Sequence, residues 1–473
     1  MPRKHEPFQS VKGTRDLLPG ETRLWQRVEE EARRVFEAYN FQEIRTPLLE
    51  QTALFTRSVG FDTDIVSKEM YTFQDQPTGM ELEESSQKLA HEMLTANDRT
   101  PDSPPGAAVR LPGGQQISLR PEGTASVVRA YIEHALYNQG GIHKLYYFGP
   151  MFRRERPQKG RYRQFYQIGA EVLGSDHPAI DAEVLEMLVL LLERLGLKEF
   201  KLLLNSVGCT QCRPEYLKVL RKALDEVRGR LCGDCQRRAI SNPFRVLDCK
   251  IAADQPVIEA LPKILEHLCP ECRQHFGSVT LDLKQRGVAY EIVPRLVRGL
   301  DYYTRTTFEI TSGLLGAQNA LLGGGRYDGL SEMLGGPQAP GFGFAIGQDR
   351  LVLTLEATGT LKLAQPLAVY VAWMGDAARG PSLLLARELR RQDIGTETSY
   401  HQIKLKKAMS LASKLQAPYA IIIGEDEVSS GNYQVKDLRT GEQTSVRAGE
   451  IAGFLKEKLR GPSQAGNDLA GPA

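Results

Sequence analysis

From Tyr146 to Glu171 the chain reads YYFGPMFRRERPQKGRYRQFYQIGAE, and more of the architecture hangs on this segment than on any other. Aromatic and apolar residues over Leu145–Gly149 predict a strand. A cationic run follows, with Arg153, Arg154, Arg156, Lys159, Arg161 and Arg163 close together. Pro157 and Gly160 punctuate it as a loop, and a second strand is expected from about Gln164 to Val172. The pattern is a long hairpin that carries guanidinium groups toward something polyanionic, because planar guanidinium forks match phosphate bidentately. A solvated basic loop is the bland alternative. It loses ground because Glu155 and Glu171 sit among the cations and because Gln167, Gly169 and Glu171 alternate with Ile168 and Ala170, which puts the polar side chains on one strand face.

Working outward, 473 residues are enough for two or three domains with their own cores. A formal net charge of +2 means that a nucleic-acid partner must be met by local patches, not by the whole surface. No stretch approaches the roughly 18 consecutive apolar residues of a membrane span, and MPRKHEPFQS lacks the apolar core of a signal peptide. The expectation is a cytoplasmic protein without a membrane partner. All seven cysteines fall between Cys209 and Cys272, and six of them form three CxxC pairs. In a reducing compartment such pairs favour metal over disulfides.

Arg23–Tyr39 reads as an amphipathic helix with Leu24, Val28, Val35, Phe36 and Tyr39 on one stripe. Phe41–Leu49 reads as a strand, with Pro47 confined to an edge, an end or a bulge. Thr78–Gly114 is charged, then rich in Pro, Ser and Asp, and reads as a partly disordered insertion in a hairpin. Ile117–Gly123 is a strand running into a helix over Thr124–Leu136. A helix entered through Pro178 spans Ser175–Leu195, and Lys201–Asn205 is a strand. Val207–Arg286 is mainly helical and carries the cysteines. Strand resumes at Tyr290–Arg295 and Thr306–Ser312, with LVRGLDYYTR between them. GGGRYDGL follows at Gly323–Leu330, with a glycine-rich β-turn over Gly323–Gly325 as its bland reading. Phe342–Ile346 is a buried strand leading into a helix at about Gln348. After a linker at 357–366, strands and helices alternate over 367–460, which predicts a small α/β domain; 461–473 reads as a disordered tail.

There is no GxxxxGK[ST], and GFGFAIG has one residue too many between its last glycines for a dinucleotide fingerprint. A nucleotide, if used, meets arginines on a sheet. Arg153, at the end of a strand, and Arg350, in the first turn of a helix, are the candidates. Arg298 is a third: an Arg298–Asp301 ion pair beside Tyr302 and Tyr303 is costly to bury unless a polar ligand repays it. Gly323–Gly325 permits a close approach of backbone to ligand. Cys209, Cys212, Cys232 and Cys235 have the spacing of a structural zinc site, and Cys269 and Cys272 add a third pair. Seven thiols are too many for one site and one too few for two, a shortfall that His267 or His275 could fill.

Together these motifs resemble those of class II aminoacyl-tRNA synthetases, and within that class the chain resembles the histidyl-tRNA synthetase family over nearly all of residues 8–459. The region of Pro47, Tyr146–Glu171 and Gly341–Leu353 look like the three class motifs; LVRGLDYYTRTTFE and GGGRYDGL are the histidine-specific parts. The resemblance implies an α+β fold: a six- or seven-stranded antiparallel catalytic sheet flanked by helices, formed by residues 1–206 and 287–356. A mainly helical insertion occupies 207–286, and a C-terminal α/β anticodon-binding domain occupies 367–460. It implies ligation of L-histidine to tRNA(His) through histidyl-adenylate, with ATP and Mg2+, in a homodimer. By the same resemblance Arg153 holds the ATP α-phosphate, Arg350 the γ-phosphate, and Glu155 lies near adenine. Arg298 meets the charge that develops on the attacked phosphate. Glu122 and Thr124 hold the α-amino group, Gln167 the carboxylate side, and Glu171 with Tyr302, Tyr303 and Tyr327 the imidazole. The Arg156–Arg163 loop faces the tRNA acceptor end. The competing reading is the non-catalytic regulatory subunit of ATP phosphoribosyltransferase, which resembles this core but typically lacks the anticodon domain and degrades the arginine set. Zinc and the long insertion are not implied by the family.

Overall fold

The computed structural model describes residues 8–60, 63–75, 115–315, 320–359 and 367–460. The expected Thr78–Gly114 insertion and the 461–473 tail lie outside these residues.

The hairpin is continuous. His143–Phe152 and Gln164–Leu173 pair antiparallel in unbroken register from His143 opposite Leu173 to Phe152 opposite Gln164. It sits in an eight-stranded sheet ordered Gln42–Glu43, His143–Phe152, Gln164–Leu173, Gly341–Gly347, Ala320–Arg326, Thr304–Thr311, Lys201–Ser206 and Glu291–Ile292. The six inner strands are antiparallel; both edge strands pair parallel. The sheet is therefore larger than the six or seven strands expected, and only mainly antiparallel.

Local chemistry explains where the elements begin and end. Pro19 and Pro178 each stand at the first helical position of Pro19–Ala38 and Pro178–Arg194, where a missing N–H costs nothing. The first helix buries Leu24, Trp25, Val28, Ala32, Val35 and Phe36 along one stripe. Phe36 packs on Tyr146 and Phe148 of one strand and on Phe344 of Gly341–Gly347. The expected Phe41–Leu49 strand is two: Gln42–Glu43 joins the large sheet, whereas Leu49–Gln51 joins Gln116–Leu119 and Tyr71–Gln74 in a three-stranded sheet. Pro47, which cannot donate to a ladder, lies in the break. Tyr290–Arg295 shortens to Glu291–Ile292 for the same reason, since Pro294 follows.

Gly323–Gly325 is not a turn. It lies inside the Ala320–Arg326 strand, paired on both sides. The helix after Gly341–Gly347 runs from Gln348 to Thr358, past the expected start of the linker.

The described residues from 367 to 460 form a second compact unit. Val369–Trp373 lies between Thr396–Thr398 and Tyr419–Ile423 and is parallel to both, and Asn432–Asp437 and Gln443–Arg447 are added antiparallel. Val369, Val371 and Trp373 enter one apolar cluster and Tyr370 and Ala372 another. Both faces of the strand are covered, as a parallel α/β sheet requires. A helix runs over Asp376–Arg391 with Pro381 inside it.

Candidate active site

The inner strands bring their polar faces to one cavity of about 290 Å³. Arg153 and Glu155 follow the end of the His143–Phe152 strand, Gln167 comes from its hairpin partner, and Arg350 from the first turn of Gln348–Thr358. Glu122 and Thr124 come from the start of the Thr124–Glu133 helix, and Arg298, Tyr302 and Tyr303 from the loop before Thr304–Thr311. All of them line this one cavity. Four arginines, counting Arg161, face three carboxylates there, so the wall carries a cationic excess suited to an anion.

Backbone oxygens aim two of the arginines, and carboxylates hold the other two. Arg153 Nε donates to Pro121 O at 2.9 Å, and its guanidinium lies over the Phe165 ring. Arg350 Nη1 donates to Ala320 O at 2.9 Å, and burial together with Arg161 lowers its pKa. Arg161 belongs to the loop expected to face tRNA, yet it turns inward and pairs with Glu155 at 3.4 Å. Arg298 pairs with Glu309, not with Asp301. Strand register explains the difference: Glu309 stands directly across from Gly323, and the Arg298 guanidinium rests on that glycine. A Cβ there would lie 2.4 Å from Arg298 Cζ.

Next to Arg153, Glu122 accepts from the backbone N–H of Thr124 at 2.7 Å and of Ala125 at 3.0 Å. It thereby fills donors left open at the helix start; burial raises its pKa. Thr124 Oγ1 donates to Glu171 Oε1 at 2.7 Å, and the Tyr327 hydroxyl donates to Glu171 Oε2 at 2.5 Å. Glu171 is fully buried, which pushes its pKa up to about 8. It and Tyr327 therefore lie behind Thr124 and Tyr302, one layer beneath the wall that they were expected to form. Tyr302 and Tyr303 meet at 4.8 Å between ring centroids, and Tyr327 meets Tyr302 edge-on at 5.8 Å. Burial pushes the Tyr303 hydroxyl up to about 12, so it is a donor at neutral pH.

Glycines make the room. A Cβ at Gly343 would lie 1.7 Å from Glu171 Oε2, one at Gly341 2.1 Å from Tyr327 and one at Gly169 2.2 Å from Tyr147. Two buried polar atoms of the cavity-lining residues, Gln167 Oε1 and Arg298 Nε, have neither a hydrogen-bond nor an ion-pair partner among the described residues, whereas Glu155 Oε2 has only its ion pair with Arg161. Buried polar atoms are seldom left so, and a polar ligand would complete both.

A family model described as histidyl-tRNA synthetase matches residues 107–351, and one described as an anticodon binding domain matches residues 368–458. Among curated proteins, the histidine–tRNA ligase of Koribacter versatilis is 52% identical over 456 residues, covering 95% of this chain and 96% of that one. The chain belongs to the histidyl-tRNA synthetase family. The histidine–tRNA ligase of Solibacter usitatus is 51% identical, covering 95% of this chain and 99% of its own. The crystal structure of apo S. aureus histidyl-tRNA synthetase aligns with a TM-score of 0.74 at 35% identity, covering 95% of this chain and all of that one.

Sequence reasoning missed Glu309 and the inward turn of Arg161 in this synthetase fold. Glu309 closes the family's LVRGLDYYTRTTFE segment, so its signal was present. The cysteines are also grouped differently from expectation. Cys209 and Cys212 converge with Cys269 and Cys272, whereas Cys232 and Cys235 converge with Cys249 and Asp254. Spacing fixes the partners within a CxxC pair, but the fold decides which pairs meet. His275, one of the candidates for the shortfall, instead lies 3.8 Å from Asp181.

Proposed function

We infer that this chain joins L-histidine to tRNA(His) through a histidyl-adenylate, with the cavity residues dividing the work as follows. The histidine carboxylate attacks the α-phosphorus of ATP, diphosphate leaves, and negative charge builds on the α-phosphate oxygens. No general base is needed, so well-placed cations are most of what the protein can add. Arg153 holds the α-phosphate, Arg350 the γ-phosphate, Arg298 the charge developing on the attacked phosphate, and Glu155 lies near adenine. Glu122 and Thr124 take the α-amino group and Gln167 the carboxylate side. Tyr302 and Tyr303 face the imidazole, backed by Glu171 and Tyr327. A site built from buried hydrogen-bonding groups can reject analogues by roughly 10⁴–10⁵.

The observation that carries this reading is the convergence of Arg153, Arg298 and Arg350 with Glu122 and Thr124 on one cavity. Magnesium would arrive with ATP, coordinated by the nucleotide's own phosphate oxygens. The cavity's own carboxylates are already engaged: Glu122 by backbone N–H, Glu155 by Arg161, and Asp349 by Arg15 and the Tyr166 N–H. Residues 367–460 read the anticodon, a role supported by the family match there; that match and the intact arginine set favour the ligase over the phosphoribosyltransferase regulatory subunit. A cytoplasmic homodimer and structural zinc in the cysteine-bearing segment complete the proposal. No helix of the described residues is long and apolar enough to cross a membrane. The test is ATP–diphosphate exchange with each of the twenty amino acids: exchange with histidine alone is expected, and its absence, or equal exchange with another amino acid, refutes the reading.

A further inference from the structure

We propose that the cysteine-bearing segment holds two zinc ions, one on Cys209, Cys212, Cys269 and Cys272, the other on Cys232, Cys235, Cys249 and Asp254. The proposal deepens the zinc assignment above and does not depend on the ligase reaction. In each set the four ligand atoms lie within 4.8 Å of one another. A tetrahedral ion with zinc–sulfur bonds of about 2.3 Å spreads its sulfurs about 3.8 Å apart. Cys209 Sγ lies 3.7 Å from Cys212 Sγ and 3.8 Å from Cys269 Sγ.

The inventory closes as well. The two sets use all seven cysteines of the chain, and Asp254 supplies the eighth ligand. Pairwise disulfides would leave an odd thiol. Asp254 is already oriented: its two oxygens accept from the Cys232 N–H at 3.0 and 3.1 Å, and the Cys249 thiol lies 3.3 Å from Oδ2.

Open backbone N–H groups surround the sulfurs and would meet the charge of metal-bound thiolates. Cys232 and Cys269 cap the Gly233–Ser241 and Pro270–Gln285 helices, and Cys212 opens Cys212–Val227. Amide groups also point at sulfur: Gln211 N–H at Cys209 Sγ and Ile251 N–H at Cys249 Sγ, both at 3.4 Å. A Zn2+ with four thiolates carries a net negative charge, and the buried Arg213 guanidinium interacts electrostatically with Cys209, Cys212 and Cys272.

The first ion has a structural consequence. Arg213 donates to Val207 O at 3.2 Å and to the backbone carbonyl of Tyr303, whose ring lines the cavity. The first ion thus anchors the start of the helix that steadies Tyr303. The second ion staples a region of short elements, where Gln255–Glu259 is only five residues long. Small, loop-rich regions commonly need such a staple.

The test is the zinc content of full-length, chelator-washed protein, together with zinc X-ray absorption. About two equivalents per chain are expected, with a shell near 2.3 Å that averages seven sulfurs and one oxygen over two ions. The C269S/C272S and C235S/C249S pairs should each lose one equivalent and keep the other. Below about 0.3 equivalents, the segment holds thiols only and the proposal fails. One equivalent in the wild-type chain, or a shell dominated by nitrogen and oxygen, also overturns it. Should either variant fail to fold, the wild-type content and spectrum still decide.

Discussion

Replacing Gly323 by alanine should damage adenylate formation without touching any functional group. The new methyl carbon would stand 2.4 Å from Arg298 Cζ, 2.5 Å from Nη2 and 2.6 Å from Nη1. Carbon atoms pack at about 3.5–4.0 Å, so the guanidinium must retreat by roughly 1 Å. It cannot do so freely, because Glu309 holds it from the strand position opposite Gly323. A misplacement of about 1 Å in a catalytic group costs on the order of 10²-fold, about 2.7 kcal/mol of barrier. Single-turnover adenylate formation should therefore fall about 100-fold in G323A while histidine affinity changes less than about 3-fold. R298A removes the donor itself and should lose roughly 10²–10³. In that background the methyl has nothing to displace, so adding G323A should change the rate by less than about 3-fold. A further loss of about 100-fold in the double variant, or a wild-type rate in G323A, would refute the argument.

Two further outcomes follow from burial. Glu171 has its pKa raised from 4.5 to about 8 by burial, so the folded state holds a proton that the unfolded chain releases. Its contribution is complete below pH 4.5 and is lost as pH rises through 8, at up to about 1.4 kcal/mol per pH unit. Urea unfolding across that window should show a shallower decline in E171Q than in the wild-type chain, and identical slopes would contradict the assignment. Arg326 is fully buried and binds Asp181, Asp328 and the Ser175 carbonyl. R326A leaves the buried Asp181 uncompensated and should cost about 3–5 kcal/mol in chemical unfolding; a loss below about 1 kcal/mol would mean that water or a neighbour replaces it.

The hairpin and its cationic loop were legible because aromatic alternation, a Pro and Gly break and the polar face of Gln167 and Glu171 are local signals. Gly323–Gly325 was not, because a glycine run scores as a turn whenever only its own neighbours are considered. Its reason lies in Arg298, which comes from another segment of the chain. The same limit governs Arg298 itself. Asp301 is nearest in sequence, but Glu309 is the partner that the strand ladder presents. For the cysteines, spacing identified three pairs correctly as units, and only packing shows that the first joins the third while the second recruits Cys249 and Asp254.

Much of the cavity's shape is set by side chains that are missing. Gly169, Gly323, Gly341 and Gly343 contribute only hydrogen atoms where Tyr147, Arg298, Tyr327 and Glu171 need the space. An inhibitor shaped like the adenylate would press against the same walls as the natural intermediate. A resistance mutation that added a methyl at one of these glycines would repel the drug and the intermediate together, which leaves little route for escape there.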